Sequence, residues 1–475
     1  MRRSSLWSVQ DDQLLLFLKD NRNYGWKRIS TYFRGRTSNA CQFRWRRLKG
    51  TRFKTLECHE TSLVAKPLSR IRLVYVNETC FVPYLFIDNN YLNLQYSRSA
   101  SNFMLKPKQI RPGHIPRYFD VAVNLCDDMF KGRYRDSEHH VSDSDSVLRR
   151  ARLLNVDRIL LTGSSYQESR WSIDEARRIN AIGDLTQYPQ LYTTVGVHPC
   201  TVLEFEPDPD NHLDKIRRLI KENLHDGTIR AFGEIGLDYD RLHHTPMDKQ
   251  KQYFEMQLKL ATEFNLPLFL HMRNALDDFL SILLPFIDGT REDGLALKNK
   301  NVLVHSFTGT EQDLERILQH PSFFISVNGC SLKTPDNCAV AAKIPLDRLL
   351  IETDAPWCEV RRTHSSYGNI TKCPNEFYPF EYDIPQELLP KTIAKKGPKL
   401  ALNEFLPIPL VKSDKLASFL QSEDSKKLVE PMVKSRNEPC LVGQIAEIMA
   451  KLRETEPQIL IDSCYRNSLR WLDLS

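Results

Sequence analysis

The sequence predicts an α/β protein built on a parallel (β/α)8 barrel (TIM barrel), preceded by a small all-α domain of three helices. The chain has 475 residues, enough for two or three compact units. Tryptophans recur at a fixed spacing in its first 50 residues, and short apolar runs alternate with helical patterns from Tyr118 onward. The predicted units are a helical domain at 1–55, a linker of unknown structure at 56–116, and the barrel at 117–475 with a long insertion at 359–434.

The N-terminal domain is predicted from Trp7, Trp26 and Trp45, which stand 19 residues apart in amphipathic segments. A module of about 50 residues has little room for a core. Large aromatic rings fill such a core efficiently, because each buries roughly 150 to 250 Å². Three helices are therefore expected around the tryptophans, over residues 9–19, 25–33 and 38–48.

Most of the positive charge of the chain lies in this domain. Residues 1–55 hold 14 Lys and Arg against 3 Asp, whereas all later residues together carry a net charge of −5. A strongly basic module on a mildly acidic body predicts a nucleic-acid-binding appendage. The third helix suits insertion into the major groove of DNA with phosphate contacts beside it. Its cations are Arg44, Arg46, Arg47 and Lys49.

The tryptophan spacing, the segment GWKRIS and the helix RTSNACQFRWRRL together resemble a Myb/SANT repeat over residues 5–50. The resemblance implies DNA binding with a strong dependence on salt. A second interpretation is a basic helical domain that binds histone tails or protein partners, as SANT modules can.

Eight short apolar runs follow Tyr118, separated by helical patterns such as MDKQKQYFEMQLKLATEFN. This alternation is typical of consecutive βαβ units and a parallel sheet, which eight strands close into a barrel. Most runs end in a polar residue, and active sites are assembled at the carboxyl ends of barrel strands. The predicted strand ends are Asn124, Thr162, His198, Glu234, His271, His305, Asn328 and Asp354.

Two carboxylates and two imidazoles among these strand ends predict a metal centre. Either histidine alone is explained as a core histidine with a hydrogen-bond partner. Together they place polar rings at the ends of hydrophobic runs, which costs free energy unless the rings find a partner. The predicted metal ligands are Glu234, His271, His305 and Asp354, from the fourth, fifth, sixth and eighth strands.

The local sequences around these ligands are also specific. AFGEIGLDYDR, LPLFLHMRNA, VLVHSFTGT and RLLIETDAPW occur in that order and resemble the TatD deoxyribonucleases, within the amidohydrolase-like metal enzymes. The match covers residues 118–358 and resumes at KSRNEPC. It implies that the four ligands hold one or two divalent ions. It also implies catalytic roles for Glu234, placed to bridge the ions, and for Asp354, which would orient the attacking water.

The first strand departs from the wider family. Many amidohydrolase-like enzymes carry His-x-His there, whereas this chain has Asn124-Leu125-Cys126, as TatD members commonly do. Two ligands are missing, which puts tight binding of a second metal in doubt. His198 and His364 are candidates to compensate at the metal or at a phosphate.

Arg273, two residues beyond a predicted ligand, is a candidate for holding a phosphate oxygen. The alternative is that it forms an ion pair with Asp238 or Glu352. The residues predicted to bind substrate are Arg273, His198, His364 and Asn124.

The predicted reaction is metal-dependent hydrolysis of DNA phosphodiester bonds. The resemblance implies release of nucleotides from a 3′ end, with endonuclease activity as an addition. Carboxylates suit Mg²⁺ or Mn²⁺ and histidines also admit Zn²⁺; we favour Mg²⁺. Rival functions are hydrolysis of a non-nucleic substrate and a chromatin or transcription factor with an inactive barrel.

The remaining segments carry fewer signals. The insertion at 359–434 contains eight prolines and is predicted to be partly disordered, with a lid as the alternative. Residues 56–116 hold no motif and are either a linker or a junction of two coding units, with Met104 near the start of the second. Eleven cysteines without a CxxC pair suit reduced thiols, and we assign them no role.

The sequence shows no secretory signal and no apolar run long enough to span a bilayer. We therefore expect an intracellular protein in the nucleus, the cytoplasm or both. Its expected partner is DNA and not a membrane, and the oligomeric state is left open.

Overall fold

The structure is a computed structural model that describes residues 108–109, 114–135, 137–381, 401–422 and 429–474. It also describes seven single residues near the N-terminus, which are Leu15, Lys19, Ser30, Ser38, Ala40, Cys41 and Arg44. The chain divides into two compact units, residues 1–93 and 94–475.

Helical backbone is found at each residue described in the N-terminal unit. Leu15 falls in the first predicted helix, Ser30 in the second and Arg44 in the third. Leu15 and Cys41 are fully buried. The predicted tryptophans and DNA-binding residues that lie outside the described residues are Trp7, Trp26, Trp45, Arg46, Arg47 and Lys49.

Eight parallel strands form the main sheet of the second unit. They are β1 Tyr118–Val123, β2 Val156–Leu161, β3 Gln190–Val195, β4 Ile229–Asp238, β5 Leu268–Arg273, β6 Val302–His305, β7 Phe323–Val327 and β8 Leu349–Ile351. Each strand pairs in parallel with the next in chain order. A parallel bridge between Val123 and Ala355 joins the first strand to the segment after the eighth, so the barrel is nearly closed. The carboxyl ends of the strands therefore meet at one rim.

Helices follow the strands and pack against them. Those between strands are Ser144–Leu153, Tyr166–Ile182, Pro209–Asn223, Met247–Ala261, Leu276–Asp288, Glu311–Leu318 and Pro335–Ala342. Two more, Val442–Leu452 and Pro457–Trp471, follow the eighth strand. Local sequence starts several of them. Thr310, for example, accepts a hydrogen bond from the Asp313 amide in a capping box.

A separate apolar cluster fills the barrel beneath the rim. It contains Phe269 of β5 and Leu303 of β6, and Trp471 of the last helix closes it at the amino ends of the strands. Because side chains alternate along a strand, Phe269 shares a face with His271, and Leu303 shares one with His305. The His305 ring stacks on Phe269 with 4.5 Å between centroids. The apolar interior thus ends in a polar layer at the rim.

Strand bounds differ from the prediction at four strands. β3 ends at Val195 and β8 at Ile351, each three residues before the predicted end. β4 continues four residues past Glu234 to Asp238, and β5 continues two residues past His271 to Arg273. The two extensions pair with each other, which supplies the backbone hydrogen bonds that lengthen both strands. Asp238 is therefore also a strand-end carboxylate.

Short elements occupy the described parts of the insertion and its surroundings. Three of its strands form a small sheet, and another pairs antiparallel with residues 108–109. The strands outside the barrel are Lys108–Gln109, Arg133–Tyr134, Ser137–Glu138, Phe380–Glu381, Ala401–Leu402, Pro409–Val411 and Met432–Val433, and Leu416–Leu420 is a short helix. Residues 382–400 and 423–428 of the predicted insertion lie outside the described residues, as does most of the predicted linker. Among described residues, no helix has the length and apolarity to cross a membrane.

A buried ion-pair network anchors the segment after the insertion. Arg436 donates hydrogen bonds to Asp143 at 2.7 and 2.6 Å and to Glu438 at 2.9 Å. Arg150 donates to Glu438 at 2.8 and 3.1 Å. All four residues are buried, with Asp143 the most accessible at 8% exposure. The network ties the C-terminal segment to the first βα unit.

Candidate metal centre

Glu234 lies among three imidazoles at the barrel rim. Its Oε1 atom is 2.8 Å from His305 Nε2 and 3.1 Å from His271 Nδ1. The same oxygen is 3.4 Å from His198 Nε2. Its Oε2 atom accepts a hydrogen bond from the Ser164 hydroxyl at 3.0 Å. The barrel thus brings three of the four predicted ligands together and adds His198.

Two further carboxylates face the outer nitrogens of these rings. His271 Nε2 is 3.1 Å from Asp238 Oδ2, and His305 Nδ1 is 3.4 Å from Glu352 Oε1. A ligating histidine commonly presents its second ring nitrogen to a carboxylate, which fixes its tautomer. Although burial opposes charge on the rings, the surrounding carboxylates raise the pKa of both histidines. Each ring therefore has a carboxylate at the nitrogen that faces away from Glu234, as is common for a metal-ligating histidine.

His198 differs from the other two rings. Its Nδ1 accepts a hydrogen bond from the backbone N–H of Cys200 at 3.0 Å, so the neutral ring carries its proton on Nε2, which faces Glu234. Burial lowers the pKa of His198 to about 4, so the ring is neutral at neutral pH. A protonated ring nitrogen does not bind metal but donates a hydrogen bond. In this orientation His198 offers the site a donor.

Asp354, the fourth predicted ligand, lies just beyond β8. Its Oδ1 accepts a hydrogen bond from the Asn124 amide at 2.8 Å, and its Oδ2 accepts one from the Cys358 thiol at 3.2 Å. Burial raises the pKa of Asp354 to about 6; His305 opposes this rise, and nearby carboxylates add to it. A carboxyl group with this pKa can accept and return a proton near neutral pH.

The loop that carries Asp354 is held by the C-terminal segment. Asn437 donates its amide to the carbonyl oxygen of Thr353 at 2.9 Å and to that of Trp357 at 2.7 Å. These two carbonyls flank Asp354 in the chain. The neighbours of Asn437 belong to the buried ion-pair network, so the position of Asp354 depends on residues more than 80 positions away.

Of the other predicted site residues, Arg273 pairs with a carboxylate that the sequence did not single out. Its Nε donates to Asp240 Oδ2 at 2.8 Å, so the observed ion pair involves neither Asp238 nor Glu352. His364 lies on a turn of the insertion, and its pKa is lowered by burial and nearby cations. Its ring lies outside the clusters of potential ligand atoms at the rim.

Sequence reasoning missed Asp238, Glu352 and Cys200. The ligand atoms of His198, Cys200 and Asp238 lie within 4.8 Å of one another, as do those of His198, Glu234 and His271. Asp238 and Glu352 each close an apolar run, IGLD and RLLIE, the same signal that identified the other strand-end residues. Cys200 carries no such signal, because it lies in a loop after β3.

The donor set fits a divalent cation. The ring nitrogens of His271 and His305 approach one oxygen of Glu234 at 3.1 and 2.8 Å, so two imidazoles and a carboxylate offer ligand atoms at one point. His305 Nδ1 is buried and makes no hydrogen bond with any described residue, with Glu352 3.4 Å away. A cation held at Nε2 fixes the ring proton on Nδ1, toward that carboxylate. Carboxylate oxygens with imidazole nitrogens suit Mg²⁺, Mn²⁺ or Zn²⁺.

Residues 119–473 match the sequence model of the family described as TatD related DNase. The chain belongs to the TatD family. It is therefore a TatD-type hydrolase, of a family that depends on divalent metal. Residues 7–56 match the model of a Myb-like DNA-binding domain. Both matches confirm the resemblances predicted from the sequence motifs.

Two relatives and one solved structure illustrate the match. Deoxyribonuclease Tat-D of Saccharomyces cerevisiae is 34% identical over 411 residues, which cover 74% of this chain and 90% of that protein. The 3′-5′ ssDNA/RNA exonuclease TatD of Citrobacter rodentium is 32% identical over 242 residues, 50% of this chain and 78% of that protein. The crystal structure of an uncharacterized amidohydrolase from Saccharomyces cerevisiae matches with a TM-score of 0.61 at 34% identity, covering 75% of this chain and 100% of its own. The predicted barrel is confirmed.

Proposed function

We propose that this TatD family member is a metal-dependent deoxyribonuclease that removes nucleotides from the 3′ end of DNA. The observation that carries the proposal is the convergence of the His271 and His305 ring nitrogens on Glu234 Oε1 at the barrel rim, with the His198 Nε2 donor beside them. The names of two relatives, a deoxyribonuclease and a 3′-5′ ssDNA/RNA exonuclease, support the substrate class. Mg²⁺ is the favoured ion, with Mn²⁺ and Zn²⁺ compatible with the same ligands.

The residues that would hold the metal are Glu234, His271, His305 and Asp354, and Glu234 would also be a candidate ligand of a second ion. A bound divalent ion supplies a Lewis acid for the phosphoryl group and lowers the pKa of its water from about 15.7 towards 7. Asp354 orients the attacking water, and the Asn124 amide holds its carboxylate in place.

The proposed substrate contacts come from polar groups around the ligands. His198 donates from Nε2 to a phosphoryl oxygen, because its Nδ1 is committed to accepting from the backbone. Arg273, whose side chain is 39% exposed, exchanges Asp240 for a phosphate. Asn124 acts by holding the carboxylate of Asp354, and His364 is assigned a contact with a phosphate of the bound strand.

The proposal is tested by following nucleotide release from DNA labelled at its 5′ or its 3′ end, single-stranded or duplex. Reactions contain Mg²⁺, Mn²⁺, Zn²⁺ or EDTA. We expect shortening from the 3′ end that requires a divalent ion and is lost in His271→Ala and Asp354→Ala. His225→Ala, an exposed histidine in the loop before β4 at the other end of the barrel, is the matched control and should stay active. Shortening from the 5′ end would overturn the polarity, and activity in EDTA would overturn the metal centre.

We further propose that the Myb-like module tethers the enzyme to DNA. Its contacts are assigned to Arg44, Arg46, Arg47 and Lys49. Alanine at Arg46, Arg47 and Lys49 in the whole chain should weaken DNA binding. It should also reduce the slope of log K against log salt concentration by about 0.9 for each phosphate that the variant no longer neutralises. A control with alanine at Lys215, Arg218 and Lys221, three exposed cations on a barrel helix, should keep the original slope. An unchanged slope in the first variant would favour protein or histone tails as the ligand.

The rival functions give different results in these assays. DNA binding without cleavage under any divalent ion would leave the barrel as a scaffold. Metal-dependent hydrolysis of amides or esters, with DNA left intact, would assign a non-nucleic substrate.

A further inference from the structure

We propose that Cys330 and Cys358 form a peroxide-sensitive thiol pair that closes to a disulfide at the rim of the active site. Their Sγ atoms lie 2.9 Å apart. This is closer than the roughly 3.5 to 4.0 Å at which non-bonded carbon atoms make optimal contact. A disulfide bond is about 2.05 Å long, so a relative shift of about 1 Å closes it.

The pair is positioned by backbone packing. Cys330 lies on the turn after β7, where its amide donates to Asn328 Oδ1 at 2.8 Å. Cys358 lies in the loop after β8, which Asn437 holds through the carbonyl of the preceding residue. A Cβ atom at Gly329 would lie 2.0 Å from the Cys358 carbonyl oxygen, so the two turns approach this closely only with glycine there. The contact between the sulfurs is therefore built into the meeting of two adjacent strand ends.

Both cysteines of the pair are partly exposed. Cys330 and Cys358 are half-buried, whereas Cys338, Cys440 and Cys464 lie in the core. Cys200 is half-buried at the same rim and has no cysteine sulfur in contact within the described part of the chain. Accessibility and pairing thus coincide at Cys330 and Cys358, and Cys200 provides an internal reference.

The reaction consumes one molecule of hydrogen peroxide. Cys330 attacks the O–O bond, because the Cys358 thiol proton is held by Asp354. The Cys330 sulfur becomes a sulfenic acid, and the other oxygen leaves as water with the Cys330 thiol proton. The Cys358 thiol attacks that sulfur, the S–S bond forms, the S–O bond breaks, and the hydroxyl leaves as a second water with the proton of the Cys358 thiol. The two sulfurs lose two electrons in total, and the peroxide gains them. A dithiol reductant reverses the change by exchange.

Disulfide formation removes a hydrogen bond from the proposed catalytic carboxylate. The Cys358 thiol donates to Asp354 Oδ2 at 3.2 Å, and a disulfide has no proton to donate. Asp354 keeps the Asn124 amide at Oδ1. A weak S–H···O hydrogen bond corresponds to a change in rate of roughly two- to fivefold. This effect on rate rests on the proposed function, whereas formation of the disulfide does not.

The first experiment treats the full-length protein with hydrogen peroxide in its folded state, alkylates the remaining thiols and maps the peptides by mass spectrometry. The expected result is a peptide cross-linked between Cys330 and Cys358 that disappears on treatment with dithiothreitol. Cys200 should be recovered in its alkylated form, because it is still a thiol after the peroxide treatment. Cys330→Ser removes the cross-link. Alkylation of both Cys330 and Cys358 after peroxide, or oxidation of Cys200 before them, would overturn the proposal.

The second experiment measures nucleotide release in the same samples. Wild type should lose activity about two- to fivefold and recover it with dithiothreitol, whereas Cys330→Ser, which retains the Cys358 thiol beside Asp354, should not respond to peroxide. An equal loss in wild type and in Cys330→Ser would overturn the link to Asp354. If no variant releases nucleotides, the proposed function fails, and the peptide map still decides whether the pair exists.

Discussion

Replacement of Arg436 by alanine should destabilise the barrel by about 3 to 5 kcal/mol. The guanidinium is buried and donates two hydrogen bonds to Asp143 and one to Glu438. The variant leaves both carboxylates without this partner in positions that water hardly reaches. Arg150 still binds Glu438 at 2.8 Å and lies 3.6 Å from Asp143, so we expect a loss near the lower end of the range.

The assay is denaturant unfolding followed by circular dichroism, with the free energy of unfolding obtained from midpoint and slope. Arg178→Ala is the matched control, because Arg178 also pairs with two carboxylates but is 47% exposed, and its loss should cost less than about 1 kcal/mol. Arg436→Met keeps much of the apolar stem and so separates loss of charge from loss of packing. The reasoning would be refuted if Arg436→Ala were as stable as Arg178→Ala. It would also be refuted if Arg436→Met were as stable as the wild type.

Three further predictions concern the barrel. Asn124→Ala should lower kcat for nucleotide release roughly 10- to 100-fold, because a hydrogen bond to the charged Asp354 is lost. The control Asn299→Ala removes an amide-to-carboxylate hydrogen bond at the other end of the barrel and should leave kcat unchanged. Equal rates for the two variants would contradict this role of Asn124. Stability should fall as the pH drops below about 4, because the buried guanidinium, against the effect of burial, lowers the pKa of Asp143. The contribution of Asp143 to the free energy of unfolding is complete above the pKa of this carboxyl in the unfolded chain, and it is lost as the pH falls through its lower pKa in the folded protein. A free energy of unfolding in urea that stays constant from about pH 5 to 2 would contradict this prediction. Trp471→Ala should cost about 3 to 5 kcal/mol, because the ring is fully buried at the base of the barrel, and a loss below about 1 kcal/mol in the same unfolding assay would show that it does not close the core.

The barrel and the gathering of its polar strand ends were predictable from the sequence because both follow from local patterns. Apolar runs and helical segments alternate, and neighbouring strands in this fold are also neighbours in the chain. The parallel topology of the barrel alone then brings the polar residues at the strand ends to one rim. Glu234, His271 and His305 are found together for this reason. The Myb-like domain was likewise predicted from a local signal, the spacing of three tryptophans, and residues 7–56 match the family model.

Where the strands end was less predictable, because it depends on pairing. β4 and β5 extend past the predicted ends since each supplies the backbone partners of the other. That pairing carries Asp238 to the rim, where it faces His271. The apolar pattern of one strand does not show how far the neighbouring strand extends, so it cannot predict where their pairing ends.

Only the tertiary structure decided which atoms meet. The proton position on His198, the carboxylate behind His305, the hold of Asn437 on the Asp354 loop and the contact between Cys330 and Cys358 each depend on distances between residues from different loops or strands. Burial, which sets the pKa of Asp354, is likewise a property of the packed molecule. The sequence determined the fold class and the residue types at the rim, because these follow from local periodicity. The folded chain determined their chemistry, because hydrogen bonding and desolvation act over a few ångströms in space whatever the separation in sequence.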